Sequence, residues 1–345
     1  MRKFVPYLKM PLFIATMILW NLCAQSQDLH FSQFFEAPLL RNPSLAGIFT
    51  GDYRIQGVYR DQWNSLTDAY KTGSLNAEYK MPIGSGSDFI TTGLQCLFDD
   101  AGTVGLTTTE IFPALNYHKS LSDEKTMYLS LGFMGGIVDK MIDLSKVTTS
   151  SQYANGVFND AIPNGEAFPS ANIHYWDASV GMCFNTTFGQ DQKNSMFFGA
   201  AYQNINRPRN SFYTDASQLD PKYVISLGVK VNMDENSYLD IQGDYTTQGA
   251  ATETIAGALY SYKLDDITDP HYILSAGLFM RWQDALIPVI KIQALPLSIA
   301  LSYDVNISQL KTVSEGQGGF ELSVSFIGFL DRETSSKYKM LCPHY

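Results

Sequence analysis

The chain has 345 residues, a formal net charge of −10, 13% aromatic residues and only 17% charged ones. An acidic chain of this kind offers no basic footprint for nucleic acid. Its four cysteines show no C-x-x-C spacing, which excludes a zinc site of that type, and the three after residue 26 leave an odd number for a disulfide framework.

Arg2, Lys3 and Lys9 precede an apolar run from Pro11 to Trp20, and Ala24 and Ser26 bracket Gln25. A basic region, an apolar region and a small-residue cut site describe an export signal over residues 1–26. The run is shorter than the roughly 20 residues a spanning helix needs, which argues against a permanent anchor. Leu22 before Cys23 gives no small residue for a lipoprotein signal.

Residues 27–52 form a lead-in segment. Asn42-Pro43 biases the chain to an extended turn, and Gly47 permits backbone conformations other residues avoid. In a periplasmic N-terminus Phe31, Phe34, Phe35, Leu39 and Leu40 are too apolar for a free tail. Two compatible readings follow: a plug at the periplasmic mouth of a barrel, and a docking surface in which Phe31, Phe34 and Phe35 touch a partner.

From Tyr53 onward the hydrophobic period is two. Met127, Leu129, Leu131, Phe133 and Ile137 oppose Tyr128, Ser130, Gly132 and Gly136. Phe320, Leu322, Val324 and Phe326 likewise oppose Glu321, Ser323 and Ser325. One face is apolar and the other small or polar, as lipid outside and a polar lumen inside require. The pattern predicts strands near 53–63, 67–80, 86–99, 105–118, 125–139, 172–187, 194–205, 222–233, 236–247, 253–263, 271–283, 286–294, 296–305 and 317–330. Every second connection is short and rich in turn formers, while 140–171, 206–221 and 306–316 are the longest of the interleaved set. Short turns on one side and long loops on the other predict an all-β, antiparallel transmembrane β-barrel of about 14 strands over residues 53–330, in the outer membrane, with both termini periplasmic. A secreted β-sandwich also alternates, but its strands are usually shorter and bury the apolar face against a second sheet.

Polar residues on several strands fall where they would face the lumen. Arg60, Asp99, Arg281, Asp284, Asp304 and Glu321 are the candidate charge pairs, with Arg60 reaching Asp99, Asp100 or Asp304. Burying them unpaired would be costly, so cross-strand pairing is the default expectation. Trp63 at a strand end suits the membrane interface. Loop 140–171, with Tyr153, Phe158 and Phe168, is too long for a turn. The next outer loop adds Arg207, Arg209, Phe212 and Tyr213, residue types enriched at interface hot spots. These loops either receive a partner or fill the lumen. The tail 331–345 continues into the periplasm, where Cys342 meets a partner's thiol or simply packs beside the lead-in.

No catalytic constellation is evident, and no cofactor, catalytic or metal-binding residue is expected. His30, His118, His174, His271 and His344 share no local spacing with a nucleophile, and there is no G-x-S-x-G elbow, Walker loop or Rossmann fingerprint.

An ordered set of motifs adds a family resemblance. It comprises Asp28, Phe31-Ser32-Gln33-Phe34, Pro38-Leu39 and Asn42-Pro43-Ser44-Leu45-Ala46-Gly47, then Tyr59-Arg60-Asp61-Gln62-Trp63 and Leu97-Phe98-Asp99-Asp100-Ala101-Gly102. Later come Arg281-Trp282-Gln283-Asp284-Ala285, Leu301-Ser302-Tyr303-Asp304, Gly318-Gly319-Phe320-Glu321 and the tail Leu341-Cys342-Pro343-His344-Tyr345. Together they resemble the PorP/SprF family of type IX secretion membrane proteins. Ser44 stands where that family usually has Ala, and His344 where it often has a basic residue.

The resemblance implies a barrel that works without catalysis, in secretion and gliding motility. Such a barrel would bind or anchor the C-terminal domain of an exported adhesin at the cell surface. It would also contact periplasmic and lipoprotein components of the type IX system. The alternative is a passive porin.

Overall fold

Strict alternation cannot bury one face of so many long strands in water, but it suits a sheet closed on itself in lipid. The computed structural model describes residues 30–62, 70–84, 86–122, 126–154, 156–166, 168–189, 192–213, 217–265, 270–308 and 317–330. Residues 1–26, Trp63 and the tail 331–345 with Cys342 and His344 lie outside the described residues.

Fourteen antiparallel strands form one closed barrel. They are β1 (Tyr53–Gln62), β2 (Tyr70–Pro82), β3 (Phe89–Ala101), β4 (Leu106–Ser120), β5 (Met127–Met141), β6 (Asn172–Phe188) and β7 (Asn194–Gln203). The second half holds β8 (Lys222–Asn232), β9 (Ser237–Gln248), β10 (Ala251–Lys263), β11 (Tyr272–Arg281), β12 (Ala285–Ala294), β13 (Leu297–Asn306) and β14 (Gln317–Gly328). Each strand pairs with its neighbours in sequence, and β1 closes on β14 with Arg60 opposite Glu321. All fourteen predicted strands are present. The third starts at Phe89 rather than 86, because residues before it turn back through a hydrogen bond from Ile83 N to Asp88 O.

The strands have two distinct ends. β1 begins and β14 finishes at the end that carries connections such as 233–236 and 295–296, here called the turn end. The opposite, loop end carries 142–171 and 204–221, together with the tight connections 249–250 and 282–284. Loop 142–171 holds a two-stranded ribbon, Tyr153–Ala154 against Val157–Phe158.

The outward face is a lipid surface. Leu75, Leu94, Leu115, Phe133 and Ile290 are among its exposed apolar residues. Aromatic rings gather at both borders: Tyr79, Tyr117, Tyr262 and Tyr272 toward the turn end, and Tyr59, Trp176, Tyr223, Tyr245, Trp282 and Tyr303 toward the loop end. Such rings place an apolar body and a polar edge at the headgroup level, and two belts of them mark a barrel's membrane borders. The inward face is polar, with Arg54, Gln56 and Arg60 on β1 and Thr72, Ser74, Asn76, Glu78 and Lys80 on β2 all buried. They are buried because the lumen is occupied.

Candidate functional site

The occupant is the chain's own lead-in. Residues 30–52 form a strap of short turns, Phe34–Glu36, Pro38–Arg41 and Pro43–Leu45, in which nearly every residue is buried. The strap joins β1 at the turn end but does not stop at that mouth. Phe49 and Gly47 lie near Lys80, Thr91 and His118 at the turn end. Asn42 and Pro43 lie against the middle of β5 and β6. Ser32 reaches Asp304 and Glu321 in the loop-end half.

Ionic clasps hold it along this course. Glu321 accepts the backbone N–H groups of Ser32 and Gln33, each at 2.7 Å. Around that carboxylate Arg60 lies 3.1 Å from Asp304 and 3.3 Å from Glu321. Arg281 reaches Asp284 at 2.8 Å, Asp304 at 3.3 Å and Glu253 at 3.7 Å, and also donates to Ser32. Lower down, Lys291 grips Glu36 at 2.5 Å, and Arg41 binds Asp244 through two 2.6 Å hydrogen bonds. Glu78 accepts from Arg54 and from Gly47 N at 2.7 Å. Lys80 donates to Phe49 O beneath the Phe49 ring. Buried charges in low dielectric persist when paired and hydrogen-bonded in this way.

Apolar packing adds to the clasps. Phe34 meets Phe279 edge-on at 5.5 Å and Phe35 stacks on the same ring at 5.0 Å, beside the inward side chains of Ile255, Leu259, Ile287 and Val289. Gly132 and Gly181 sit opposite each other on β5 and β6 and form a berth for the Asn42–Ser44 turn. A Cβ at 132 would come within 2.4 Å of Ser44 N, and one at 181 within 1.8 Å of Asn42 Oδ1. Asn116 secures the turn's exit by donating to Ser44 O and Ala46 O. Gly47 then takes φ +83°, a left-handed conformation that favours glycine.

Of the charges singled out in the sequence, Arg60, Arg281, Asp284, Asp304 and Glu321 therefore converge on one knot. Asp99 accepts from Thr72 Oγ1 on the neighbouring strand instead (2.7 Å). Arg41, Arg54, Glu36, Glu78, Asp244, Glu253 and Lys291 were not anticipated. Of the aromatic candidates, Phe31 and Phe34 are buried in the lumen and Phe35 is half-buried there, so they offer no outer surface.

The other candidates lie at the loop end. Phe168 and Tyr213, from different loops, bring their rings to 5.1 Å, and Tyr213 Oη donates to Glu166 at 2.8 Å. Tyr153 and Phe158 face each other across the ribbon and are both exposed. Arg207 lies 3.7 Å from Asp220, Arg209 is in a bridge with Gln218, and Phe212 is half-buried. Loop 142–171 is tied to itself: Thr149 and Ser151 both donate to Asn164 O, and Gln152 Nε2 donates to Ile162 O. At its start, the Ser145 hydroxyl and amide hold the Asp143 carboxyl below the usual carboxylate range.

A closed barrel with a lipid band, two aromatic belts and a filled polar lumen defines a transmembrane barrel of the outer-membrane class. The chain belongs to the family described as type IX secretion system membrane protein PorP/SprF, which matches residues 23–326. No match was found among curated proteins. Similar solved structures include the CymD monoaromatic hydrocarbon channel, at 8% identity over 85% of this chain and 92% of that one, TM-score 0.47. The Pseudomonas putida toluene transporter TodX is 11% identical over 84% and 92%, TM-score 0.46. A Pseudomonas aeruginosa FadL homologue is 11% identical over 84% and 94%, TM-score 0.45.

Proposed function

We propose that this barrel is a non-enzymatic docking element of type IX secretion and gliding, which holds the C-terminal domain of an exported protein at the cell surface. The turn end faces the periplasm, where lipoprotein components of the system meet the barrel and its tail. The loop end faces outward. Occupation of the lumen by residues 30–52 is the observation that carries this reading, because a filled barrel has only its rims to offer. A passive porin needs an open bore, and the clasped strap argues against one.

At the outer rim, the Phe168–Tyr213 contact joins the two largest described loops into one surface, with Tyr153, Phe158, Arg207 and Arg209 on the same loops. Exposed aromatics on an internally bonded loop lose little conformational entropy on binding, which suits them to anchor a partner. The double substitution Phe168→Ala and Tyr213→Ala is expected to weaken retention of the exported partner at least tenfold in membrane pull-downs. Thermal stability of the barrel should change little, since both side chains lie outside the lumen. Undiminished retention by a folded double variant would exclude this surface as the dock.

A further inference from the structure

Two cavities lie beside the strap, and one side chain, Arg41, belongs to the walls of both. The outer cavity, about 80 Å³, lies between Phe31 and Leu40 of the strap and the loop-end ends of β8–β10, at Lys222, Gln248 and Glu253. The inner cavity, about 60 Å³, lies between Glu36 and Ile48 and the turn-end halves of β9 and β12–β14, at Asp240, Lys291, Ser298 and Ser325. Arg41 lines both. Its guanidinium sits 4.6 Å from the Phe34 ring, which faces the outer cavity, and 5.7 Å from the Phe197 ring, which faces the inner one. Asp244 fixes it with two hydrogen bonds and Gln242 with a third at 3.2 Å.

These cavities are of water dimensions. Each exceeds the roughly 10–15 Å³ that a single water needs, so each has room for water. The inner one also demands them: Asp240 Oδ1 and Gln56 Oε1 line it without a hydrogen-bond partner among the described residues, on side chains that are 8% and 3% exposed. Buried polar atoms left without a protein partner are normally satisfied by water. End to end, the two cavities extend from the last residue of β9, Gln248, to the second residue of β13, Ser298, which is nearly the full length of the lumen.

We propose that the two cavities are halves of one water-wide path beside the strap, and that the Arg41–Asp244 clasp is the stopper that prevents small ions from crossing it. The proposal shares with the docking reading only the premise of a sealed wild-type lumen. A partner that fails to bind the loop end would leave it untouched.

The test uses the full-length barrel in planar bilayers with potassium chloride. Wild type is expected to be silent. The double variant Arg41→Ala/Asp244→Ala, which strands no charge, is expected to pass small steady currents at least tenfold above wild-type background. A second readout is sided labelling by a small cationic methanethiosulfonate in a background with Cys96, Cys183 and Cys342 replaced by serine. With Arg41 present, Thr246→Cys should react from the loop side alone and Ser298→Cys from the turn side alone. In the double variant each should gain at least tenfold reactivity from the far side. A folded double variant that stays silent and one-sided overturns the proposal. Equal labelling of Thr246→Cys from both sides with Arg41 intact overturns it too, even where the double variant fails to fold.

Discussion

Valine at position 132 is expected to turn a silent barrel into a conducting one. The β carbon alone would sit 2.4 Å from Ser44 N and 2.5 Å from Pro43 C, and both of these are backbone atoms with no rotamer to change. Two things can move, the wall or the strap. β5 is hydrogen-bonded to β4 on one side and β6 on the other over most of its length, so displacing the wall would break two ladders. The Asn42–Ser44 turn is held by far less: within it Asn42 Oδ1 accepts from Ser44 N, and from the wall Asn116 donates to Ser44 O and, just beyond the turn, to Ala46 O. Overpacking of this kind costs roughly 1–3 kcal/mol, and here it falls on the weaker partner. Strap residues 42–44 should therefore lift away while the barrel keeps its heat-modifiable mobility on gels. Single-channel currents absent in wild type should appear. The outward neighbour supplies a control, because Phe133→Val alters only a lipid-facing side chain and should stay silent. A folded Gly132→Val barrel that also stays silent would mean that residues 42–44 do not seal the lumen.

Glu321→Ala should produce the largest loss of stability. The carboxylate is fully buried and accepts two backbone N–H groups of the strap while facing Arg60. Its removal strands those donors and leaves Arg60 with one fewer buried counter-charge. Breaking a buried ion pair costs about 3–5 kcal/mol, and each orphaned buried donor about 1–3 kcal/mol, although neighbouring losses of this kind are not additive. A loss of about 4–6 kcal/mol is expected in denaturant unfolding from lipid vesicles, followed by tryptophan fluorescence. Glu321→Gln keeps one acceptor in place and should fall between alanine and wild type. A change within about 0.5 kcal/mol, as at an ordinary surface site, would mean that the knot does not hold the strap.

The barrel was legible because lipid imposes a rule on every strand. Leu129, Leu131 and Phe133 had to alternate with Ser130 and Gly132 whatever the rest of the chain did, so the period survived in each strand separately. The knot was partly legible for the same reason: Arg60, Arg281, Asp304 and Glu321 all fall on the polar face. The strap's own partners were not. Arg41 meets Asp244 and Glu36 meets Lys291 across more than 200 residues of sequence, and a segment of short turns has no period to set its register against a wall. One local sign was present. Ile255, Leu259, Phe279, Ile287 and Val289 are apolar on the lumen face of β10–β12, where a water-filled bore would not favour them, and these are the residues that receive Phe34 and Phe35. The meeting of Phe168 with Tyr213 left no such trace, because two loops follow neither period.

The placement of the clasps also bears on how the cylinder is made. β1 and β14 are the first and last strands, so the seam between them joins residues some 260 apart and carries the heaviest loop-closure cost of any pairing in the sheet. Both sides of that seam are tied to the strap, through Arg60 on β1 and Glu321 on β14. Closing the cylinder thus ends in a zipping step whose fastener, residues 30–52, precedes every strand of the barrel. A nascent chain that lost that stretch could wind its hairpins yet would lack the group that locks the circle shut.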